Sequence, residues 1–373
     1  MNKDLSRKKI AWLLPGLALG LSILACTLGG GATDTPAAPA ATNTPPGGGL
    51  QKTTSTPKAD QTDVPSTPPP STGRLRLASS PYTHPSGAFR LTPPDGWEVD
   101  AGDASTTFTA PDETGRIDVY LNTTGYELDD EAVGRFIAAN ETNYFAVEFD
   151  GYEVVSATTD DFGAYVSTQS LDWGGIPSQV TSIYYRQADV IFEIDFWVEN
   201  ELIDAYQPTY QEIWNEMELD ASGAAGVEPY YFVYTFNDSD GYFSFEVPYG
   251  WIYEQTSGNN SVVDKFVAPD ERAFVDNIKY DEGTEISKSL AGEIALELLR
   301  QFYADDIQIT EDKVQPDGSE RLTWFSESGQ YSGISFFETR GTVFLMLTFV
   351  ANDDVYDLYS PIFDNLLDTY DVP

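Results

Sequence analysis

One phrase is written twice in this chain. GAFRLTPPDGWEV spans Gly87–Val99, and GYFSFEVPYGWIY spans Gly241–Tyr253. Gly87, Phe89, Leu91, Pro94, Gly96 and Trp97 fall opposite Gly241, Phe243, Phe245, Pro248, Gly250 and Trp251, at a constant offset of 154 residues. An offset that long is a domain length and no solenoid period, so it predicts one fold made twice. Each phrase has the same physical reading. A short apolar strand ends in a proline turn, glycine permits the tight geometry, and tryptophan drops onto a core. Trp97 and Trp251 are therefore expected as structural anchors.

The elements after each phrase repeat in order. In the first copy, Phe89–Leu91, Trp97–Val99 and Ile117–Leu121 read as strands between Pro, Gly and Asp punctuation. Asp129 and Asp130 then cap a helix with Val133, Phe136, Ile137, Asn140 and Tyr144 at helical spacing. Strands follow near Tyr152–Thr158, Ala164–Leu171, Gln179–Tyr185 and Val190–Val198. In the last, Val190, Phe192, Ile194, Phe196 and Val198 alternate with Glu193 and Asp195, which predicts one buried and one partly solvated face. A closing helix carries Tyr210, Ile213, Trp214 and Met217. In the second copy, FTAPDE at Phe108 returns as FVAPDE at Phe266, and Leu290, Ile294, Leu298 and Phe302 form a helical stripe. Strands near Arg321–Phe325, Gly333–Phe337 and Thr342–Val350 precede a last helix. Pro208 and Pro361 hold matching places in the two closing helices. Because proline suits the first helical position, both helices are expected to begin there, with Ser360 capping the second. Asp220–Pro229 reads as the joint between copies.

The N-terminus reads MNKDLSRKKIAWLLPGLALGLSILAC. Lys3, Arg7, Lys8 and Lys9 precede an apolar run, Ile10 to Ala25, that Pro15 and Gly16 interrupt. The run falls short of the roughly 20 residues a bilayer span needs, so it reads as an export signal. Its ILAC end resembles the bacterial lipoprotein signal. That resemblance implies cleavage after Ala25, a diacylglyceryl group on Cys26 and anchoring by acyl chains such as palmitate on the extracytoplasmic face of the cell membrane. Cys26 is the one cysteine in the chain, which excludes disulfides and cysteine-built metal sites. From Thr27 to Ser80 the chain is rich in Thr, Pro, Ala and Gly without hydrophobic period, the composition of a disordered tether. At about 3.1 Å per residue in the polyproline limit, it would reach on the order of 150 Å.

Charge excludes another class of partner. After residue 80 there are 12 Lys and Arg against 56 Asp and Glu, a formal charge of −44. Such a surface repels nucleic acid and anionic headgroups, and its first consequence is solubility. A catalytic triad would have to use His84, the single histidine, yet the matching position in the second copy is Asp238. Neither a P-loop nor a dinucleotide fingerprint is present. The pairs Asp129/Asp130, Asp160/Asp161, Asp305/Asp306 and Asp353/Asp354 fall at expected turns and helix starts, where Asp caps and solvates. Asn237–Gly241, NDSDG, lacks the ligand spacing of a calcium loop and reads as a turn. No catalytic, cofactor or metal residue is nominated.

The sequence TPPDGW, answered by EVPYGW, opens an antiparallel α/β module and resembles the PsbP-like superfamily, which includes bacterial lipoproteins of the LpqN kind. The resemblance implies an α+β fold, an antiparallel sheet flanked by helices in an α/β/α sandwich, and a non-catalytic role in assembly. The expected organisation is a signal peptide over 1–25, a lipidated tether over 26–80, and PsbP-like copies over 81–221 and 228–373. The expected function is a membrane-anchored interaction or assembly module with an unknown protein partner. An extracytoplasmic hydrolase using paired carboxylates, and a solute or calcium-dependent binder, are the alternatives.

Overall fold

The structure is a computed structural model that describes residues 74–258 and 260–372. The expected signal peptide, Cys26 and most of the tether lie outside the described residues. Two compact units form. One holds 74–236 with Pro248–Gly250, and the other holds Asn237–Val247 with 251–372.

In the first unit, β1 (Tyr82–Thr83) and β2 (Phe89–Leu91) precede β3 (Glu98–Ala101), β4 (Ser105–Thr109) and β5 (Gly115–Thr123). Helix α1 (Asp130–Asn140) runs on into a π-helical turn, Glu141–Phe145. Then come β6 (Glu153–Thr159), β7 (Tyr165–Trp173), β8 (Ile176–Gln187), β9 (Val190–Glu199), α2 (Ile203–Glu216) and β10 (Glu218–Leu219). Seven strands make one sheet in the order β3-β4-β5-β9-β8-β7-β6, antiparallel at every pairing, and β10 joins β1 and β2 in a small second sheet.

The second unit repeats this plan. Strand β11 (Val233–Asn237) falls almost wholly in the first unit; in the second, β12 (Ser244–Pro248) is followed by β13 (Ile252–Ser257), β14 (Ser261–Val267), β15 (Ala273–Asp281) and α3 (Lys288–Phe302). There follow β16 (Gln308–Val314), β17 (Glu320–Ser326), β18 (Tyr331–Arg340), β19 (Val343–Asn352) and α4 (Tyr356–Asp368). The sheet order is β13-β14-β15-β19-β18-β17-β16, strand for strand that of the first. The chain is thus α+β with two tandem antiparallel modules, each flanked by helices.

The strand period explains the layers, because successive side chains must leave opposite faces of a sheet. In β5 and β9, Ile117, Val119, Leu121, Phe192, Ile194 and Phe196 point to one face and meet Tyr206, Tyr210 and Ile213 of α2. Trp97 packs at the border of that core, whereas Trp251 is fully buried against Tyr359 and Phe363 of α4. The repeated APDE phrases are the β4–β5 and β14–β15 hairpins. Glu113 and Glu271 each take φ of 60° in them, and the Ala110 and Ala268 amides close them on Gly115 and Ala273.

Four expectations change. Both closing helices begin five residues before their prolines, so Pro208 and Pro361 lie inside them and Ser360 caps nothing. The upstream turn is held by buried Tyr206 and Tyr359, whose packing outweighs the one backbone bond a proline removes. Order begins before residue 81, since Leu75 and Leu77 pack on the first core and Ala78 N donates to Pro93 O. Asp220–Pro229 is no free joint. Ala221–Ala224 form a 3₁₀ turn, Ala224 is buried, and a Cβ on Gly223 would stand 2.2 Å from Ala88 N. The fourth change concerns Glu193 and Asp195.

Candidate functional site

The second face of β9 was expected to be partly solvated, and it is sealed. Glu193 is 4% exposed and Asp195 0%, because α1 and its π turn cover that face. Two apolar clusters bracket the polar residues. Leu128, Phe136, Ile137 and Ile191 form one, and Phe145, Leu171, Val180 and Trp197 the other. Between them lies a third carboxylate, Asp118, directly across the ladder from Asp195, while Tyr120 stands across from Glu193.

Each carboxylate has a different environment. Glu193 Oε1 accepts from Asn140 Nδ2 at 2.8 Å and Tyr184 OH at 3.1 Å, and Oε2 accepts from Asn122 Nδ2 at 3.0 Å. Burial nevertheless prevails over those bonds and pushes its carboxyl up to about 7. Asp118 meets Arg116 Nε at 2.7 Å and the Thr107 hydroxyl at 2.6 Å, and burial still raises it. Neither oxygen of Asp195 has a hydrogen-bond partner among the described residues. Ser182, its cross-strand neighbour, donates to Gln169 at 3.3 Å and also lies close enough to ease the Asp195 charge slightly. Burial first, and the Glu193 charge second, hold the Asp195 carboxyl well above the carboxylate range. Like charges opposite each other on a ladder repel, so this cluster keeps protons that exposed acids release.

The second copy acts as a built-in control. At the equivalent ladder positions Met346 replaces Glu193, Thr348 replaces Asp195, Val350 replaces Trp197, Phe274 replaces Arg116 and Ile278 replaces Tyr120. Helix α3 presents Leu298 and Leu299 where the first copy has Asn140 and Glu141, and it stays α-helical where the first turns π. Of the three carboxylates only the Asp118 position keeps its acid, as Asp276, which accepts from Tyr303 OH at 2.7 Å. The frame therefore folds with a single buried acid there, and the three-carboxylate cluster is peculiar to the first copy. Residues this buried can exchange protons but cannot touch a bulky substrate while α1 is seated. The alternation in β9 hid this from the sequence. The missed signal is Asn140, a polar residue among the apolar positions of α1, which donates to Glu193 once the two elements face each other.

In each pair of acids weighed for chemistry, at least one member has a structural partner. Asp129 caps α1 through Ala132 N, and Asp160 accepts from the amides of Phe162 and Ala164 and from Trp214 Nε1. Asp306 accepts from Ser326 and Ser328, Asp353 from Ser332, and Asp354 from Arg272. His84 is buried, with Nδ1 2.7 Å from Ser86 Oγ and Nε2 3.0 Å from Gly102 O. Asp238 takes the same place in the second copy, and each closes a turn onto the following strand. In NDSDG, Lys279 Nζ lies 2.9 Å from Asp238 and 2.6 Å from Asp240, where a cation would sit. A groove of about 370 Å³ beside Lys279 is lined by Asp240, Tyr242, Ser261 and Asp281. Among the described residues no three His, Cys, Asp or Glu side chains are placed to hold a metal ion. No described helix is long and apolar enough to cross a membrane. Cys26 lies outside the described residues.

The fold can be set beside known proteins. Similar solved structures include the cyanobacterial PsbP from Synechocystis sp. PCC 6803, at 15% identity and a TM-score of 0.31, covering 40% of this chain and 96% of that one. Another, from Bacteroides thetaiotaomicron, is 16% identical with a TM-score of 0.29, covering 45% and 54%. The immunity protein TplEi of the Pseudomonas aeruginosa T6SS is 12% identical with a TM-score of 0.20, covering 74% of this chain and 97% of its own. Likeness at this level assigns no role to any residue here. No family model and no curated protein matches the chain.

Proposed function

We propose that this chain is a lipid-anchored lipoprotein of the extracytoplasmic membrane face, with two PsbP-like modules that bind a protein partner and catalyse nothing. One observation carries the reading. Each acidic pair weighed for hydrolysis has at least one member committed as a cap, a turn acceptor or an ion-pair partner, namely Asp129, Asp160, Asp306, Asp353 and Asp354, which favours a structural use of the pairs. The second reading, a calcium-dependent binder, is disfavoured by Lys279, which already neutralises Asp238 and Asp240. Cys26 is the anchor, and the Thr/Pro-rich segment after it holds the modules off the surface. Cys26→Ser tests the anchor. The variant is expected to leave the membrane fraction or to remain unprocessed, and a variant that fractionates and migrates like the parent would refute the lipoprotein assignment.

A further inference from the structure

The four outer edges of the two sheets differ in how they are protected. An edge strand presents unpaired backbone groups, and proteins usually blunt it with charge. Strand β3 carries Glu98 and Asp100, and β13 carries Glu254. Strand β16 carries Glu311, Asp312 and Lys313, tied by ion pairs that also draw in Arg321. Strand β6 reads Glu-Val-Val-Ser-Ala-Thr-Thr and, after its first residue, has no charge, yet all seven residues are exposed. Val155 is 63% exposed and Val154 41%.

The two copies align at this edge residue by residue. Both edge strands bulge at the same place, β6 between Val154 and Ser156 and β16 between Ile309 and Glu311. The guards Glu311, Asp312 and Lys313 therefore stand where the first copy has Ser156, Ala157 and Thr158. The same fold thus carries one guarded and one open edge. Val155 is passed over in the register with β7. Exposed acids stand at both ends of the open stretch, Asp150 and Glu153 before it and Asp161 after it.

We propose that β6 is a docking edge that takes an extended segment of a partner protein as an eighth strand. The occupant has a β-branched or hydroxylated centre and a Lys or Arg at each end. Ladder hydrogen bonds supply the attraction and the flanking acids set the polarity. A second copy of this chain is a poor occupant, because its own β6 would bring Asp150, Glu153 and Asp161 against their like. The proposal rests on the reading of the chain as a partner-binding module, but its test is separate, because anchoring by Cys26 does not bear on it.

The test uses the full chain and a seven-residue peptide of alternating Val and Thr with Lys and Arg at its ends. Two control peptides accompany it, one with Glu at both ends and one N-methylated at alternate residues. Amide exchange across 153–159 is expected to slow at least tenfold with the basic peptide. Binding should fall at least tenfold for the Glu-ended peptide and vanish for the methylated one, which leaves the protein unaltered. Val155→Pro should weaken binding as well. The proposal is overturned if the peptide binds without slowing those amides, or if the Glu-ended peptide binds as well. It is equally overturned if the amides of 153–159 that face away from β7 are already protected in the free chain, by its own segments or by self-association.

Discussion

Replacing Glu193 with Gln should change how stability depends on pH, in a direction opposite to ordinary acid denaturation. Burial raises the Glu193 carboxyl from 4.5 to about 7 in the folded chain. A raised acid pKa means the folded state holds the proton more tightly than the unfolded chain does. Its contribution is therefore fully present below about pH 4.5 and lost as pH rises to about 7, the opposite of a salt-bridged carboxylate. At 1.36 kcal/mol per pKa unit, the loss is about 3 kcal/mol by pH 8. Asp195 and Asp118, raised by the same burial, add to it in the same direction. The window from pH 6 to 8 is clean, because the chain has one histidine and exposed carboxylates have already ionised. The assay is amide exchange of β9 across that window, which reports opening of the first unit apart from the second. Opening free energy should fall with rising pH in the parent, and Glu193→Gln should flatten the slope. A parent slope that is zero or positive, or an unchanged slope in the variant, would show that α1 does not seal these carboxyls.

Three further outcomes follow. Met346→Glu should destabilise the second unit by at least about 2 kcal/mol at pH 8, because Leu298 offers no donor like Asn140 and Tyr280, at the Asn122 position, already donates to Glu282; denaturant melts check it. Gly223→Ala should cost roughly 1–3 kcal/mol, since the added Cβ meets the backbone of Ala88 and Gly87, and a fragment ending at Asp220 should be less stable than one ending at Phe236. Calcium at matched ionic strength should give no saturable rise in Tm in melting curves against sodium and magnesium, because Lys279 already pairs with Asp238 and Asp240.

Much of the frame was legible because it is written in local period and punctuation. Alternation marked β7, β8, β9 and β19, and Asp129 marked the start of α1. The duplication was legible because Gly, Pro and Trp recur at one offset. Two things were decided by distant packing instead. The closing helices gained a turn before Pro208 and Pro361 because Tyr206 and Tyr359 bury there, which no local signal for a helix start could convey. Strand β4 escaped notice because its Thr-rich sequence alternates weakly. The acidic layer was invisible for a related reason. Glu193 and Asp195 look solvated until α1 is laid over them, and only then does Asn140 acquire a purpose.

The proposed docking at β6 would have the first copy hold a partner at an edge that its duplicate guards with charge. A photo-crosslinking residue at Val155 in the intact, membrane-anchored chain tests it most directly, with the same residue at Thr310 as the matched position beside the guarded edge. The account predicts a discrete adduct from position 155, lost at high salt, and none from position 310. Equal adducts from both positions, or none from 155, would contradict it.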